Sequence, residues 1–453
     1  MALELQPVIL AAGEGSKMFP LTENIPKCLM PIGNMPMIWY VVNQLERSGF
    51  QDFIVIVRSN DASLVQQTLQ SLCLSSSTFD FIKLQDDEDF GTCDALRLLK
   101  SKIKSDILVA SCDLISEAPV HRLVDIHRIY DASITVMLSK PVELQLEKDV
   151  TAANQHKSAS HIGNKDVVSI DTQENRLLYF ANEGDIESDN IVFKKSMMKR
   201  YSNIKLLTNL VDCHLYIMKK WILEYIASNN KLENIKSDAI PLIVRKQFSV
   251  QKKSVKDMGL KTVKSDDSKD IHSFLPSSKE SKYITEYSSY QGSCLKDSIK
   301  CHVYVSDSFC LRVNTIPSYI FMNRQLSKLK DIAPNLEYKR LHPTTAVNEK
   351  SQIGNDCLVG ESTTCAQNTS IKKSVIGKHC VICSNVRITN CIIMNHVTIS
   401  SGSNLHNSII CDNCYIQENA SLTNCQVSAG QTVKENRNLK NEVVVSEEMG
   451  FEE

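Results

Sequence analysis

The 453-residue sequence predicts an α/β domain followed by a parallel β-helix. Two observations lead to this fold class. In residues 8–140, short apolar strands alternate with stretches of helical length, a pattern typical of parallel strands joined by crossover helices. From residue 353 onwards, branched apolar residues recur at steps of five or six, so that each position returns after 17 residues. A regular α-helix cannot keep that register, whereas a coil with three short faces can.

The apolar runs of the first half define the predicted elements of the α/β domain. The strands are Val8–Ala12, Phe53–Val57, Ile107–Ser111 and Ile134–Leu138, and the helices include Pro36–Ser48 and Ala118–Tyr130. The predicted segments are an α/β domain at 1–248 with an exposed insertion at 141–165, a flexible linker at 249–300, a connector at 301–349, the β-helix at 350–436 and an acidic tail at 437–453. The linker follows from its Lys, Ser and Asp content, which leaves too little apolar surface to form a core.

A glycine-rich turn follows the first strand. Gly13 and Gly15 allow positive φ and a close approach to an anion, so that successive N–H groups can point into one concavity. Lys17 and Lys27 place positive charge on either side. This pattern predicts a cradle for a triphosphate, although two glycines can also serve only to close a tight strand-to-helix turn.

The turn belongs to a longer run, Val8–Tyr40, that contains AAGEGSK, PLT, PK and PIGNMP at fixed spacings. This run resembles the signature of the sugar-phosphate nucleotidyltransferases, whose nucleotidyltransferase-like (Rossmann-like) domain binds a nucleoside triphosphate at this loop. The resemblance implies that Lys17 and Lys27 contact phosphates. Lys17 stands where the family has arginine, and Met35 stands where it has a second basic residue, so the cradle is expected to be electrostatically weakened.

Two further stretches extend the resemblance. Gly91 and Thr92 match a turn that lies along the nucleotide, and Asp113, at the end of an apolar strand, matches the aspartate that holds magnesium in the family. The carboxyl end of a strand is where an open α/β sheet keeps its ligand site. The alternative for Asp113 is a helix N-cap, because Leu114 begins a stretch that is predicted to be helical. Cys112 occupies a position where the family usually has glycine.

The sugar-binding half of the site is incomplete in the sequence. Active relatives carry a Glu-Lys-Pro motif whose lysine holds the sugar phosphate, whereas this chain has Glu183 followed by Gly184. Asp212 loosely matches a second metal-binding aspartate of the family. We therefore expect no catalytic residue, no metal site and no cofactor. The expected vestigial nucleotide-binding residues are Gly13, Gly15, Lys17, Lys27, Gly91, Thr92 and Asp113.

The carboxy-terminal repeat predicts a triangular coil in which each face points one branched side chain inwards. One column of this coil contains Ile376, Ile393, Ile410 and Val427. An ordinary β-sandwich is the alternative, but the strands of sandwiches rarely repeat at a fixed period. The fixed 17-residue period therefore favours the β-helix.

Two CxxC pairs lie in this repeat, Cys380/Cys383 and Cys411/Cys414, and their spacing alone is that of zinc ligands. The repeat places Cys380 and Cys414 two coils apart, roughly 9–10 Å if coils stack at strand spacing. Thiolates around one zinc ion lie within roughly 4 Å of each other. We expect the cysteines to be small buried hydrophobic residues in a reducing compartment.

Composition and charge exclude several classes of protein. A hydrophobic content of 42% with 23% charged residues is ordinary for a globular protein. The net charge of −1 gives no case for bulk attraction to nucleic acid or to a membrane. The first 13 residues contain an acidic residue and only a short apolar run, which predicts neither a secretory signal nor a membrane span. A cytosolic (cytoplasmic) location is expected.

The order of the two domains resembles that of the sugar-nucleotide pyrophosphorylases, which carry a left-handed β-helix of hexapeptide-type repeats. It also resembles two subunits of eukaryotic translation initiation factor 2B, the guanine-nucleotide exchange factor for initiation factor 2. Five stretches are similar to the family of its gamma subunits: PMIWY (36–40), SCDLI (111–115), LVDCHLY (210–216), IPLIVRKQFS (240–249) and YIFMNRQ (319–325). The related epsilon subunit carries the exchange activity and continues into a helical acidic-aromatic domain. The end of this chain, SEEMGFEE, is expected to be too short for that domain.

The sequence leaves two functions open. The first is a non-catalytic subunit of the exchange factor, with the epsilon, alpha, beta and delta subunits and initiation factor 2 as partners. The second is an active sugar-phosphate nucleotidyltransferase of the mannose-1-phosphate guanylyltransferase or glucose-1-phosphate adenylyltransferase type. Met35, Cys112 and the missing sugar-phosphate lysine favour the first.

Overall fold

The computed structural model describes residues 5–73, 76–85, 90–142, 166–182, 184, 193, 195–248, 271–275, 299–325 and 341–445. Most of the predicted insertion at 141–165 and most of the predicted linker at 249–300 lie outside the described residues. None of the helices in the described part of the chain has the length and apolar character needed to cross a lipid bilayer.

A nine-stranded sheet forms the centre of the first domain, in the order β5-β4-β1-β6-β11-β8-β12-β10-β9. The strands up to residue 312 are β1 Leu5–Leu10, β2 Pro31–Ile32, β3 Met35–Pro36, β4 Asp52–Arg58, β5 Thr78–Leu84, β6 Asp106–Ser111, β7 Leu114–Ser116, β8 Ile134–Ser139, β9 Asp166–Asp171, β10 Arg176–Asn182, β11 Ile204–Met218, β12 Cys301–Ser306 and β13 Cys310–Arg312. β1, β4, β5 and β6 are mutually parallel, as the alternation of strands and helices predicts. β11 runs antiparallel between β6 and β8, so the rest of the sheet is mixed.

Helices cover both faces of the sheet because its strands are apolar on both sides, and two separate cores result. The helices are α1 Met37–Arg47, α2 Ala62–Leu72, α3 Thr92–Arg97, α4 Val120–Ile129, α5 Lys195–Arg200, α6 Lys220–Ser228, α7 Ile240–Lys246 and α8 Ile316–Gln325. Short 3₁₀ turns at Ser16–Met18, Lys27–Leu29 and Ile271–Phe274 and a π-helical turn at Ile235–Ala239 complete the domain. The predicted helices at 36–48 and 118–130 correspond to α1 and α4.

The sheet does not end at residue 248, and in this respect the predicted boundary is wrong. β12 lies inside the sheet, parallel to β8 and hydrogen-bonded on its other side to β10. Ile271 and Ile299, from the predicted linker, are fully buried in the same core. The predicted connector at 301–349 therefore supplies a strand of the α/β domain. The polar composition around it hides this contribution, because a strand that pairs with distant partners leaves no local signal.

The second domain is a parallel β-helix of three six-stranded sheets. Its first strand is β14 Ala346–Val347 and its last is β31 Val443–Val444, so the coils extend beyond both ends of the predicted 350–436. The intervening strands, β15 to β30, are 352–353, 358–359, 364–365, 370–372, 375–376, 381–382, 387–389, 392–393, 398–399, 404–406, 409–410, 415–416, 421–423, 426–427, 432–433 and 438–440. Every residue of the predicted inward columns is buried except Ile353, which is partly buried. The predicted register is confirmed.

Asparagine forms most of the corners of the coil. Asn390, Asn407, Asn424 and Asn441 have positive φ, a conformation that asparagine tolerates better than most residues. Their side-chain amides form a ladder from coil to coil, with N···O distances of 3.2, 2.6 and 2.9 Å. The ladder provides hydrogen-bond partners for the asparagine amides at the corner, which the apolar side chains of the columns cannot provide.

The cysteines of the β-helix pack as apolar residues. Cys380 and Cys414 are buried in the core, and Val397, itself fully buried, occupies the coil between them. Burial raises the pKa of both thiols to about 11. The structure therefore supports the expected apolar role, although Cys383 is only partly buried.

One outer face of the β-helix packs on the α/β domain. Leu358, Val375, Ile392 and Ile409 point away from the coil axis, yet each is buried. They form a single apolar cluster with α8 and with residues between the glycine turn and the start of α1. The Asn34 amide also donates a hydrogen bond to the carbonyl of Ile376 (3.0 Å). The segment after the glycine turn thus lies between the two domains.

Candidate functional site

The predicted anion loop turns at Gly15. This residue has a φ of 77°, and a Cβ there would lie 2.9 Å from Thr22 Cγ2 and 3.1 Å from Lys27 Cβ. The turn therefore requires glycine for both conformation and space. The Thr22 hydroxyl donates a hydrogen bond to the Gly15 carbonyl (3.0 Å) and holds the turn. Gly13 has open space where a side chain would stand, and Lys17 is exposed.

Arg58, at the end of β4, supports the loop from behind. It donates a hydrogen bond to the carbonyl of Ala12 (3.1 Å) and forms an ion pair with Glu14. No sequence pattern selects this residue, because 46 positions separate it from its acceptor. The start of the glycine loop is therefore held by the charged side chain of Arg58 from the neighbouring strand β4.

Asp113 lies two residues after the end of β6 and is fully buried. Lys27 donates to its Oδ2 at 2.6 Å, so the structure brings together two of the predicted site residues. Arg312 makes a two-point contact with the same carboxylate, from Nε to Oδ1 at 3.1 Å and from NH2 to Oδ2 at 3.0 Å. Both carboxylate oxygens are therefore bound by cationic side chains.

The predicted N-cap role of Asp113 is wrong. Leu114–Ser116 forms β7, not a helix, and β7 pairs antiparallel with β13. Burial by itself raises the pKa of the Asp113 carboxyl, but the charges of Arg312 and Lys27 outweigh burial and hold this pKa well below its usual range. Asp113 is thus an ionised carboxylate inside a charge cluster.

Arg312 is the functional residue that sequence reasoning missed. It lies 199 positions from Asp113 and follows the poorly patterned segment before β12. β13 brings it to the site by pairing with β7 in the register Arg312↔Leu114. The Val313 N–H adds a hydrogen bond to the Asp113 carbonyl (2.8 Å). The apolar spacing CLRV could have indicated a short strand, but no local signal indicates its partner.

Asp212, on β11, heads a second group of buried polar residues. Its carboxylate accepts hydrogen bonds from the hydroxyl of Tyr216 and from the backbone N–H of His214 (3.0 Å for the latter). The pairing of β11 with β8 shifts register between Asp212 and Tyr216, and His214 has a φ of 52° within this bulge. Bulges next to functional sites commonly redirect a side chain. Here the bulge turns the His214 ring towards Asp212, with Nε2 3.5 Å from Oδ2.

Asp166 and Lys236 complete this second group. The Asp166 carboxylate accepts a hydrogen bond from the Asp212 N–H (2.9 Å) and pairs with Lys236 Nζ at 2.9 Å. Burial raises the pKa of Asp212 to about 6, against the opposing charge of Lys236 and the hydrogen bond from Tyr216. Burial, assisted by the charge of Arg312, holds the pKa of His214 well below its usual range. Burial also raises the pKa of Asp166, so the site contains one strongly acidic aspartate, Asp113, and two weakly acidic ones.

The residues around Asp113 do not fit the magnesium ion that the resemblance implies. Mg²⁺ requires oxygen ligands at about 2.0–2.1 Å in octahedral geometry. Both Asp113 oxygens instead accept hydrogen bonds from nitrogen donors that carry positive charge. In the part of the chain that the structure describes, no group of three or more His, Cys, Asp or Glu side chains is arranged to hold a metal ion.

Gly91 and Thr92 are engaged with a different segment. A Cβ on Gly91 would lie 2.2 Å from the carbonyl oxygen of Glu233, so this backbone contact requires glycine. The Thr92 hydroxyl accepts a hydrogen bond from the N–H of Ile235 (2.8 Å). These contacts join the start of α3 to the turn before α7, and they explain both residues without a nucleotide.

The substituted family positions have local structural roles. Met35 is partly buried and packs on the apolar cluster that joins the two domains. Cys112 is buried in one of the two α/β cores, and burial raises the pKa of its thiol to about 12. Glu183 lies outside the described residues, and Gly184 is exposed.

Two protein-family models match the chain, one within the α/β domain and one over the β-helix. Residues 6–147 match a family model described as "Nucleotidyl transferase". Residues 338–449 match a model described as "EIF2B subunit epsilon LbH domain". The second match agrees with the left-handed β-helix of the predicted fold class.

The translation initiation factor eIF2B subunit gamma of Dictyostelium discoideum is 30% identical to this chain over 399 residues, which cover 84% of the chain and 88% of the relative. The chain belongs to the eIF2B gamma-subunit family. The corresponding subunit of Schizosaccharomyces pombe is 29% identical over 82% of the chain and 74% of its own length. The predicted resemblance to this family is confirmed.

Other relatives of this eIF2B gamma-family chain cover less of it. The mannose-1-phosphate guanyltransferase of Debaryomyces hansenii is 28% identical over 30% of the chain and 38% of its own length. The eIF2B subunit epsilon of S. pombe is 23% identical over 52% of the chain and 34% of its own length. The similarity to the gamma subunits, in contrast, spans both domains.

Proposed function

We propose that this gamma-family chain is a non-catalytic subunit of the complex that exchanges GDP for GTP on translation initiation factor 2. In this role it binds the catalytic epsilon subunit and stimulates it, within an assembly that also contains alpha, beta and delta subunits. Kinship with curated gamma subunits over both domains carries the proposal. A cytosolic location follows from the same role.

The occupied Asp113 carboxylate supports the loss of transferase activity. Nucleotidyl transfer is an in-line displacement at phosphorus, and magnesium and cationic side chains stabilise the charge that develops. In this chain Lys27 and Arg312 neutralise Asp113, and Met35 replaces a basic residue. Loss of a single electrostatic contact at such a site typically costs about 10²–10³ in rate, so several losses together leave no useful turnover.

A transferase assay tests this part of the proposal directly. The purified chain, incubated with GTP or ATP, mannose 1-phosphate or glucose 1-phosphate and magnesium, should release no pyrophosphate above background. Turnover that disappears in Asp113→Ala would establish the alternative, an active guanylyl- or adenylyltransferase.

The remaining cradle is proposed to keep a weak affinity for nucleotide. Gly13, Gly15, Lys17 and Lys27 retain the loop and part of its charge. Calorimetry with GTP should therefore show weak binding that Lys27→Ala reduces, while Lys102→Ala, which removes an exposed lysine paired with Asp80, should leave it unchanged.

The exchange role is tested by the release of fluorescent GDP from initiation factor 2. The chain alone should not accelerate release, and the chain together with epsilon should exceed epsilon alone. A large shared surface would stabilise the bound partner and add contacts to the substrate factor. Equal rates with and without this chain, or full activity of the chain by itself, would contradict the proposal.

A further inference from the structure

We propose that Arg312 is a resident cation that takes the place of a divalent metal ion between Asp113 and Asp212. The site then carries its own positive charge and binds neither Mg²⁺ nor Mn²⁺. This inference rests on the proposed function only in treating the site as non-catalytic, and it does not depend on which subunits the chain contacts.

The pairing of β6 with β11 places the two aspartates near the same end of these strands. β6 and β11 are neighbours and run antiparallel, with Leu215 opposite Ala110 and Tyr216 opposite Val109. Asp113 follows the last residue of β6 by two positions, and Asp212 lies on β11 three residues before Leu215, so both lie at the same end of this strand pair. Both carboxylates are almost completely buried. Two buried carboxylates at one end of a strand pair favour a cation beside them, because burial otherwise favours their protonation.

Arg312 meets this need with a geometry that suits a carboxylate. Its guanidinium contacts both oxygens of Asp113, at 3.1 and 3.0 Å, as a planar fork does. Its backbone is fixed on the same site by the pairing of β13 with β7 and by the hydrogen bond from Val313 to the Asp113 carbonyl. Asp212 also stabilises the charge of Arg312. The cation is therefore anchored by its main chain as well as by its side chain.

This arrangement excludes a metal ion by charge and by occupancy. A guanidinium keeps its proton at any accessible pH, so it cannot withdraw its charge when a dication approaches. A metal ion at Asp113 would meet Arg312 and Lys27 at hydrogen-bond distance from the same oxygens. Displacing Arg312 would break two charged hydrogen bonds and leave a partly buried guanidinium without its partner, a destabilising change.

Manganese binding to the full-length chain tests the inference, with free Mn²⁺ followed by electron paramagnetic resonance. The wild-type chain at millimolar Mn²⁺ should show no binding that Asp113→Asn removes. Arg312→Gln should gain one Mn²⁺ per chain, with an affinity at least about tenfold above that of the wild type. The double variant Arg312→Gln/Asp113→Asn should lose this binding again.

Arg58→Gln is the matched control. Arg58 is also a partly buried, ion-paired arginine beside the glycine loop, but it contacts Glu14 and Ala12 instead of Asp113. If loss of any nearby positive charge were sufficient, Arg58→Gln would gain Mn²⁺ as well, and the specific role of Arg312 would be refuted. Arg312→Lys, which keeps a point charge, should remain without Mn²⁺.

Folding is checked for each variant by circular dichroism and thermal unfolding. A folded Arg312→Gln variant that binds no Mn²⁺ overturns the inference. If that variant does not fold, the wild-type titration decides, because Asp113-dependent binding to the wild type would overturn the inference and its absence, together with a metal-free Arg312→Lys, supports it. The GDP-release assay measures a separate property, so failure of the exchange role would not be mistaken for failure of this one.

Discussion

The β-helix and the candidate site of the α/β domain differ in the distance over which their contacts act. In the β-helix each residue meets its counterpart one coil away, as in the pairs Ile376↔Ile393 and Ile393↔Ile410. In the candidate site the central contact joins Asp113 to Arg312 across 199 positions. Because the β-helix repeats, its structure can be predicted from a single sequence. The charge interactions of the candidate site depend on distant segments that meet only in the folded domain.

The two regions also stabilise themselves by different means. The core of the β-helix is a stack of aliphatic columns with cysteines between them. The candidate site contains three buried aspartates, Asp113, Asp166 and Asp212, each with a cationic or hydroxyl partner. An apolar column should therefore be most sensitive to an inserted charge, and the α/β domain to a change in protonation.

The largest effect is expected from a charge in an apolar column. Ile382→Asp should destabilise the β-helix by about 4 kcal/mol or more, because it buries an unpaired carboxylate. Val381→Asp is the matched control: it changes the neighbouring residue of the same strand, whose side chain is 43% exposed. Urea unfolding followed by far-UV circular dichroism measures both. Similar losses in the two variants would refute the division into inward and outward positions.

Acid should act on the α/β domain before the β-helix. Burial lowers the pKa of His127 and of His302 to about 4, with further lowering from the charges of Lys219 and Arg176 respectively. Both pKa values lie below that of an unfolded histidine, so the folded state binds fewer protons. This stabilisation is fully present above about pH 6.5 and is lost as the pH falls towards 4, by on the order of 3 kcal/mol for each histidine.

Both tryptophans, Trp39 and Trp221, lie in the α/β domain, so their fluorescence reports its unfolding by urea at pH 7 and at pH 4.5. His302→Asn should reduce the difference between the two pH values, since it removes one of the groups that titrate. Equal stability of the wild type at both pH values would contradict this origin of acid sensitivity.

A smaller effect is expected where the backbone requires glycine. Gly91→Ala should destabilise the α/β domain by about 1–3 kcal/mol, because its Cβ would lie 2.2 Å from a backbone oxygen that cannot move freely. Gly13→Ala, at a position with open space, should change stability by less than about 0.5 kcal/mol. Thermal unfolding of the two variants measures the contrast, and equal shifts would mean that Gly91 does not approach Glu233 as closely as described.

The extent to which the sequence predicts this molecule follows from the range of each contact. The columns of the β-helix and the strands β1, β4, β6 and β8 were predicted, because apolar periodicity is a local property. The family motif selected Lys27 and Asp113 but not their ion pair, because it assigns the lysine to a phosphate and the aspartate to magnesium. The place of β12 in the sheet and the role of Arg312 were not predicted, because no local sequence pattern indicates which distant residues they contact. Leu114 was assigned to a helix because short apolar stretches are ambiguous between helix and strand.

The position of β12 has a consequence for the order in which the chain can fold. During synthesis, β8 and β10 emerge long before residues 301–306, which pair with both of them. Until then both strands present unpaired backbone edges, a state prone to association with other chains. The pairing of β12 with β8 also joins residues that are far apart in the sequence, which slows the search for the native pairing. The first domain therefore completes its sheet late in translation, shortly before the first coils of the β-helix appear.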